Sequence, residues 1–378
     1  MAGALGAPAF RPGTRAARVL LERNPYVTWE AQRLAFAHPA FTGVVHPHLP
    51  HWGAPADDAD SPPGERRPRD RATPRDEATD AAEFDHPAEP TSASRSWLPR
   101  VARLGPMEAR ALPEMHVQTV SASWCHDPED ARALMRAAAA SGASVLLCVG
   151  GDGGCGNTSP PLDALALLEH ARALRDAGDI EPDVRLACVA NPCLEALTSR
   201  RRASASSLLA AKLEAGAEMV ITQPSIVPSL ARRWRREMQD SGLARDVEHV
   251  AGMAIPTSTR SATRWARLVF GDAAARARLF AKHPSESSVA ASAETETRLR
   301  ALIHEELLDG WDAMERASKR ETDPNVFRAR WIEERAELAA AEILTSEDFP
   351  AQGAHIMPVT PAGYRSAAAL ADAIQRLL

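Results

Sequence analysis

From Pro113 onward, short apolar runs alternate with longer stretches in which apolar residues recur every three or four positions among Ala, Arg and Glu. The short runs are MHVQTVSA (115–122), ASVLLCVGGD (143–152), VRLACVAN (184–191), EMVITQ (218–223), VEHVAGMAI (247–255) and GAHIMPVT (353–360). Runs this short and this continuously apolar read as strands buried on both faces. Between them DPEDARALMRAAAASG, LDALALLEHARALRDAG, SSLLAAKLEAGA and SLARRWRREMQDSGLA read as amphipathic helices, several closed by a Gly where left-handed backbone caps a helix. Upstream, ARVLLE (17–22) and FTGVV (41–45) flank the helical TWEAQRLAFA and bring the expected strands to eight. Eight βα units predict an α/β protein, a closed parallel (β/α)8 TIM barrel sealed by the helix YRSAAALADAIQRLL. An open doubly wound sheet is the structural alternative. The interval 256–352 is too long for one crossover, and its charged runs ETRLRALIHEELLDGWDAMERASKR and FRARWIEERAELAAAEIL predict extra helices late in the chain.

One segment breaks the alternation. Gly53–Ser96 is dense in Pro, Asp, Glu, Arg and Ala and nearly empty of large apolar residues, so burial cannot offset its chain entropy. It is expected to be a disordered insertion, 53–96, within a single barrel domain spanning 1–378; closure entropy grows only logarithmically with loop length. The 378 residues, 45% hydrophobic, suffice for a sizeable core. A net charge of -6 and a pI near 6.1 speak against a nucleic-acid partner, which would need a basic face. No run approaches the roughly 18 apolar residues of a membrane helix, so no membrane is expected. A cytoplasmic location is expected, with an organellar one (mitochondrion or plastid) as the alternative, because the start is rich in Ala and Arg and free of acids before Glu22. Five cysteines (Cys125, Cys148, Cys155, Cys188, Cys193) form no CxxC pair, and their odd number favours a reducing compartment.

Reactive groups in such a barrel gather at the carboxyl ends of the strands. Glu22 closes the first expected strand; among apolar neighbours it can serve as a general acid, or it pairs with Arg23 in solvent. The fourth strand runs into VGGDGGCGN, whose glycines let backbone N–H groups approach an anion, with Gly151 and Asp152 among them; a plain tight turn is the alternative. The string GGDG also occurs in nucleotide kinases of the diacylglycerol and NAD kinase type, which makes a phosphotransferase the contrasting function. KLEAGAEMVITQ carries Lys212 on a helix, an AGA turn, and a strand ending in Thr222 and Gln223. The Gln223 amide donates and accepts together, which suits a pterin or flavin edge, although capping of the strand end is equally physical. HPHLPH (His46, His48, His51) is dense in imidazoles but stiffened by proline, with no paired Cys or carboxylate, so no metal is expected. Trp124, Cys125 and His126 read as packing rather than a nucleophile pair. The basic runs TSRRRAS and LARRWRREM suit an anionic tail such as polyglutamate, or are solvated helix faces.

The block KLEAGAEMVITQ, after a strand ending in Gly-Asp and before VAGMAIP, resembles the K-x-(E/D)-A-G-A-x-x-x-I-T-Q pattern of the methylenetetrahydrofolate reductase family, a flavin-dependent (β/α)8 barrel. LLERNP resembles the family's first strand F-E-F-F-P-P, PEMHVQTV its third, P-H-L-T-C, and HIMPVT its last, H-F-Y-T-L. The likeness is to the reductase domain only, and spans the chain apart from 53–96 and parts of 273–325.

It implies NAD(P)H-dependent reduction of 5,10-methylenetetrahydrofolate to 5-methyltetrahydrofolate through FAD, with NAD(P)H as co-substrate and a small-molecule folate as the expected partner; a homo-oligomer is left open. Glu22 would be the acid that opens the imidazolidine ring, and Asp152 would lie near flavin and folate as a further catalytic and binding group. Gln223 would bind folate, while His116, Gly151, Asp152 and Lys212 would contact FAD. The chain also departs from the family: Gly150 stands where it has Arg, Asn191 replaces an aromatic, Ala205 replaces an Asp, and Pro224, Ser225 and Ile226 replace an aromatic run. Several flavin contacts are thereby exchanged for small or uncharged residues. A divergent barrel that has lost reductase activity, a ligand-binding protein or pseudoenzyme, is the alternative these departures imply.

Overall fold

Each of the eight apolar runs forms a strand: β1 Arg18–Glu22, β2 Gly43–His46, β3 Met115–Ser121, β4 Val145–Val149, β5 Arg185–Ala190, β6 Met219–Thr222, β7 Glu248–Met253 and β8 Gly353–Ile356. In this computed structural model they pair in sequence order, all parallel, and β8 returns to β1 through Leu20↔His355, so the sheet closes as a (β/α)8 barrel. The open-sheet alternative is thereby overturned, because no sheet edge is left. The structure describes residues 18–24, 32, 35–47, 115–125, 127–150, 162–198, 204–245, 247–270, 301–358 and 360–377. The expected insertion 53–96 lies outside them.

The helices that follow the strands are α1 Pro128–Ala140, α2 Ala164–Asp176, α3 Pro192–Thr198, α4 Ala205–Glu214, α5 Pro228–Asp240, α6 Thr259–Phe270, α7 Asp309–Ser318, α8 Pro324–Leu344 and α9 Pro361–Leu377. Short polar side chains start several of them by satisfying otherwise unpaired first-turn amides. Asp127 accepts from Glu129 N and Asp130 N ahead of α1, Ser204 from Ser207 N ahead of α4, and Asp323 from Asn325 N and Val326 N ahead of α8. The AGA turn after α4 needs its glycine, because Gly216 adopts φ +117. α7 and α8 lie between β7 and β8, where the charged runs predict added helices.

Alternation along the strands splits the core in two. Leu20, Val45, Met115, Val117, Val145, Leu147, Ala187, Met219, Ile221 and Val250 form the barrel interior. The intervening residues, such as Leu146, Cys148, Leu186 and Val220, face the helices and pack with Leu134, Leu167 and Trp234. At the amino end the interior is closed by charge: Glu248, with its side chain 6% exposed, accepts from Arg18 at 2.7 Å and from Arg185 at 2.8 Å. Such a layer plugs the barrel floor, leaving the opposite, carboxyl end for a ligand.

Candidate active site at the carboxyl end of the barrel

Strand parity decides which expected site residues can meet a ligand. Glu22 ends β1 and shares the inward parity of Leu20. His355, at the third position of β8, is of the inward set and 3% exposed. The two side chains meet, with His355 Nε2 3.2 Å from Glu22 Oε2. The carboxylate lies off the ring N–H direction, so the contact is not an aligned hydrogen bond, and neither His355 ring nitrogen has a hydrogen-bond partner among the described residues. Glu22 keeps 28% of its side-chain surface exposed. It is thus held on one side and open on the other.

The backbone beneath Glu22 is also held. Tyr364, in the first turn of α9, donates to Glu22 O at 2.9 Å and accepts from Asn24 N at 2.7 Å. Gln32 Nε2 donates to Asn24 O at 2.7 Å. These contacts join the end of β1 to the unit that follows β8.

Gln223 stands one residue beyond β6, continuing the inward alternation of Met219 and Ile221, and its N–H donates to Ala190 O at 2.8 Å. The neighbouring strand has to make room there. A Cβ on Gly252 would stand 1.9 Å from Thr222 O and 2.7 Å from the Gln223 carbonyl carbon, while Gly252 N donates to Thr222 Oγ1 at 2.8 Å. Glycine in VAGMAIP therefore serves the close approach of β6 and β7 beneath Gln223.

The residues that the resemblance assigns to FAD are placed differently. His116 is the second residue of β3, between the inward Met115 and Val117, so it faces outward near the amino end. Its ring stacks on that of His46, with centroids 6.1 Å apart and planes 5° apart. Burial lowers the His116 pKa, and burial, then Arg23, then His116 lower that of His46 to about 3. Lys212 projects from α4 toward the strand–helix layer and donates to Val189 O at 2.6 Å. Beside it Glu195, its pKa raised by burial against the opposing pull of Lys212, accepts from Asn191 N at 3.0 Å and Trp234 Nε1 at 2.8 Å. Asn191 in turn caps α3 through Leu194 N and donates to Val269 O. Gly151 and Asp152 lie outside the described residues, as do His48, His51, Cys155 and His126. The described part of the FAD set therefore does not fit a flavin at the carboxyl end: one group faces outward, and the other holds a strand carbonyl.

Other candidates resolve as packing. Cys125 is 1% exposed with its thiol 3.3 Å from Ser121 O. Cys148, Cys188 and Cys193 are free and buried, and burial above all pushes the thiols of Cys188 and Cys193 up to about 12. Within LARRWRREM, Arg232 and Arg235 pair with Glu342 at 2.9 and 2.7 Å, and Arg236 stands 3.7 Å from Asp348. That run braces α5 against α8 and the turn after it. A recess of about 310 Å³, open to solvent and lined by Ile255, Thr257, Trp265, Met357, Thr360 and Leu370 among others, lies behind the ends of β7 and β8. Among the described residues no titratable side chain lines it, so the chemistry is to be sought at the barrel end. Among the described residues no cluster of three metal-ligating side chains occurs, and no helix is long and apolar enough to cross a membrane.

Sequence reasoning named Glu22 and Gln223 but missed His355 and Tyr364. His355 lay in a matched string, HIMPVT, and its signal was an imidazole in an otherwise apolar final strand. Tyr364 carried no signal, because its partner is 342 residues away.

No family model matches this sequence, and no curated protein matches it. Among solved structures, an uncharacterized protein from Clostridium thermocellum that binds two copies of 5-methyl-5,6,7,8-tetrahydrofolic acid is similar at 13% identity and a TM-score of 0.44, over 96% of this chain and 97% of that one. A 2,3-dimethylmalate lyase of the PEP mutase/isocitrate lyase superfamily is similar at 11% identity and a TM-score of 0.36, over 63% and 67%. At such values these likenesses assign neither a substrate nor a reaction.

Proposed function

We propose that this protein acts on a reduced folate held at the carboxyl end of the barrel, and that Glu22 is its proton donor. The observation that carries the reading is the inward Glu22–His355 pair, in which a half-open carboxyl group is backed by a buried imidazole. Such a carboxyl can hand a proton to a ring nitrogen of the bound ligand and regain one from solvent on its open side. Gln223, with an amide that donates and accepts, is the group to read a pterin edge. The choice of folate over other heterocycles rests on the sequence resemblance in KLEAGAEMVITQ.

The finer reading is a methylenetetrahydrofolate reductase-like flavoprotein, in which FAD, when bound, would carry hydride from NAD(P)H. Glu22 and Gln223 agree with it. The outward His116 and the engaged Lys212 favour instead the second reading, a divergent folate-binding barrel without flavin. The phosphotransferase suggested by GGDG draws no support from the described residues.

Calorimetric titration with 5-methyltetrahydrofolate, beside titration with FAD, separates these readings. Folate binding that Gln223→Ala weakens by about tenfold is expected, the loss of one well-placed hydrogen bond. Bound flavin bleached by NAD(P)H would support the reductase, and folate binding by colourless protein the divergent barrel. Protein that binds neither ligand would overturn the proposal.

A further inference from the structure

We infer that Tyr364 is a positioning residue for Glu22; the inference rests on reading Glu22 as the proton donor. β8 and α9 grip the end of β1 from two sides. From the inner face of β8, His355 meets the Glu22 carboxylate. From the first turn of α9, Tyr364 meets the Glu22 backbone. The same short unit thus sets both where the carboxylate sits and what it faces.

The Tyr364 hydroxyl has one proton and two lone pairs. It accepts from Asn24 N at 2.7 Å, and its proton lies between Glu22 O and Gln32 Oε1, each at 2.9 Å. Gln32 holds Asn24 on both sides, its Nε2 donating to Asn24 O at 2.7 Å and its Oε1 sharing the Asn24 N–H with Tyr364 at 3.2 Å. Arg23 N continues the ladder to Val45 O at 3.0 Å. Consecutive backbone groups past the end of β1 are therefore fixed, leaving the Glu22 side chain its own torsions and little else.

The phenol itself is 1% exposed and packs its ring 6.4 Å from that of Phe36. Burial first, and the Glu22 charge second, push its pKa up, so the hydroxyl keeps the proton it donates. The ring fills the space, while among the described residues the oxygen serves only groups at or beside the end of β1: Glu22 O, Asn24 N and Gln32 Oε1. A displacement of about 1 Å in a catalytic group is enough to cost orders of magnitude in rate, so a buried hydroxyl that fixes this point bears on turnover as well as on folding.

The test compares Tyr364→Phe, which removes the oxygen and keeps the ring, with Gln32→Met, which releases Asn24 O and removes the Oε1 acceptor of Asn24 N and of the Tyr364 hydroxyl, and with Glu22→Gln. Three quantities are read on the full chain: amide hydrogen exchange at Asn24, the ring 1H–15N chemical shifts of His355, and steady-state turnover of 5,10-methylenetetrahydrofolate with NAD(P)H as reductant and FAD added, alongside binding of 5-methyltetrahydrofolate. Expected in Tyr364→Phe are exchange at Asn24 faster by about tenfold, His355 ring signals displaced in the direction that Glu22→Gln displaces them, and kcat lower by about tenfold with KM within about twofold. Gln32→Met should give the same pattern. Unchanged His355 signals and unchanged Asn24 exchange in both folded variants would overturn the inference. If those signals move while neither Tyr364→Phe nor Glu22→Gln alters turnover or binding, positioning stands and the proton-donor reading falls.

Discussion

Two inward-facing glutamates at opposite ends of the barrel show how position sets the role of a residue. Glu248 is almost wholly enclosed and bridges Arg18 and Arg185, whereas Glu22 touches one imidazole and keeps an open side. Removing the Glu248 carboxylate would take from Arg18 and Arg185 the buried anion they share, leaving Glu218 at 3.8 Å from Arg185. Glu248→Ala should therefore cost about 3 kcal/mol, read from the urea midpoint at unchanged slope, while Glu22→Gln should move that midpoint little. Equal destabilisation by the two variants would contradict this division between a structural floor and a reactive end. The sequence marked only one of these glutamates. Glu248 looked like an ordinary charge at the start of VEHVAGMAI, because its two arginine partners lie on other strands.

At the scale of elements, hydrophobic runs located every strand, since a strand buried on both faces must be continuously apolar. Their ends were less visible. β4 stops at Val149, although the expected run extends through Gly150 to Asp152, and β8 stops at Ile356 although GAHIMPVT extends to Thr360. Past β8, Met357 N still donates to Met253 O at 3.0 Å, so the pairing fades rather than stops there; Gly151, Asp152 and Val359 lie outside the described residues. The close approach of β6 and β7 was also invisible: glycine in a strand signals a bulge or a near neighbour without saying which. Gly252→Ala tests this contact. With a Cβ forced against Thr222 O and the Gln223 carbonyl, the variant should lose about 2 kcal/mol in thermal or chemical unfolding and weaken ligand binding, as β6 is pushed away. A fully stable Gly252→Ala with native binding would show that the two strand ends are free to separate.

For the whole molecule, buried histidines contribute to the response to acid. His249 is enclosed by the rings of Phe349 and Trp234, with centroids 4.5 and 5.9 Å away, and burial lowers its pKa to about 4; that of His46 falls to about 3. Both folded-state values lie below the ordinary 6.5, so between these limits the unfolded chain binds protons that the folded chain refuses. Stability contributed by the neutral rings is complete above about pH 6.5 and declines as the pH falls through 4 for His249 and toward 3 for His46. A loss on the order of 3 kcal/mol per ring follows over that window. Urea denaturation between pH 7 and 4 should show it, and His249→Leu should flatten the slope; a slope identical to the parent would exclude His249 as a source.

The sequence alone determined that this chain builds eight short strands, wraps them with helices and carries Glu22 and Gln223 at strand ends, because burial on both faces is written into composition and helix caps into local residues. Only the tertiary structure decided which face each strand residue presents. A run apolar on both sides bears no mark of its inner face, and a change of parity moves a side chain from the barrel interior to the helix layer. Hence His116, promising in its motif, turns outward to stack on His46, whereas His355, unremarked in its own, turns inward to meet Glu22. Closure of β8 onto β1 made that meeting, together with the hold of Tyr364 on the Glu22 carbonyl; contacts between the two ends of a chain leave no periodic trace in it.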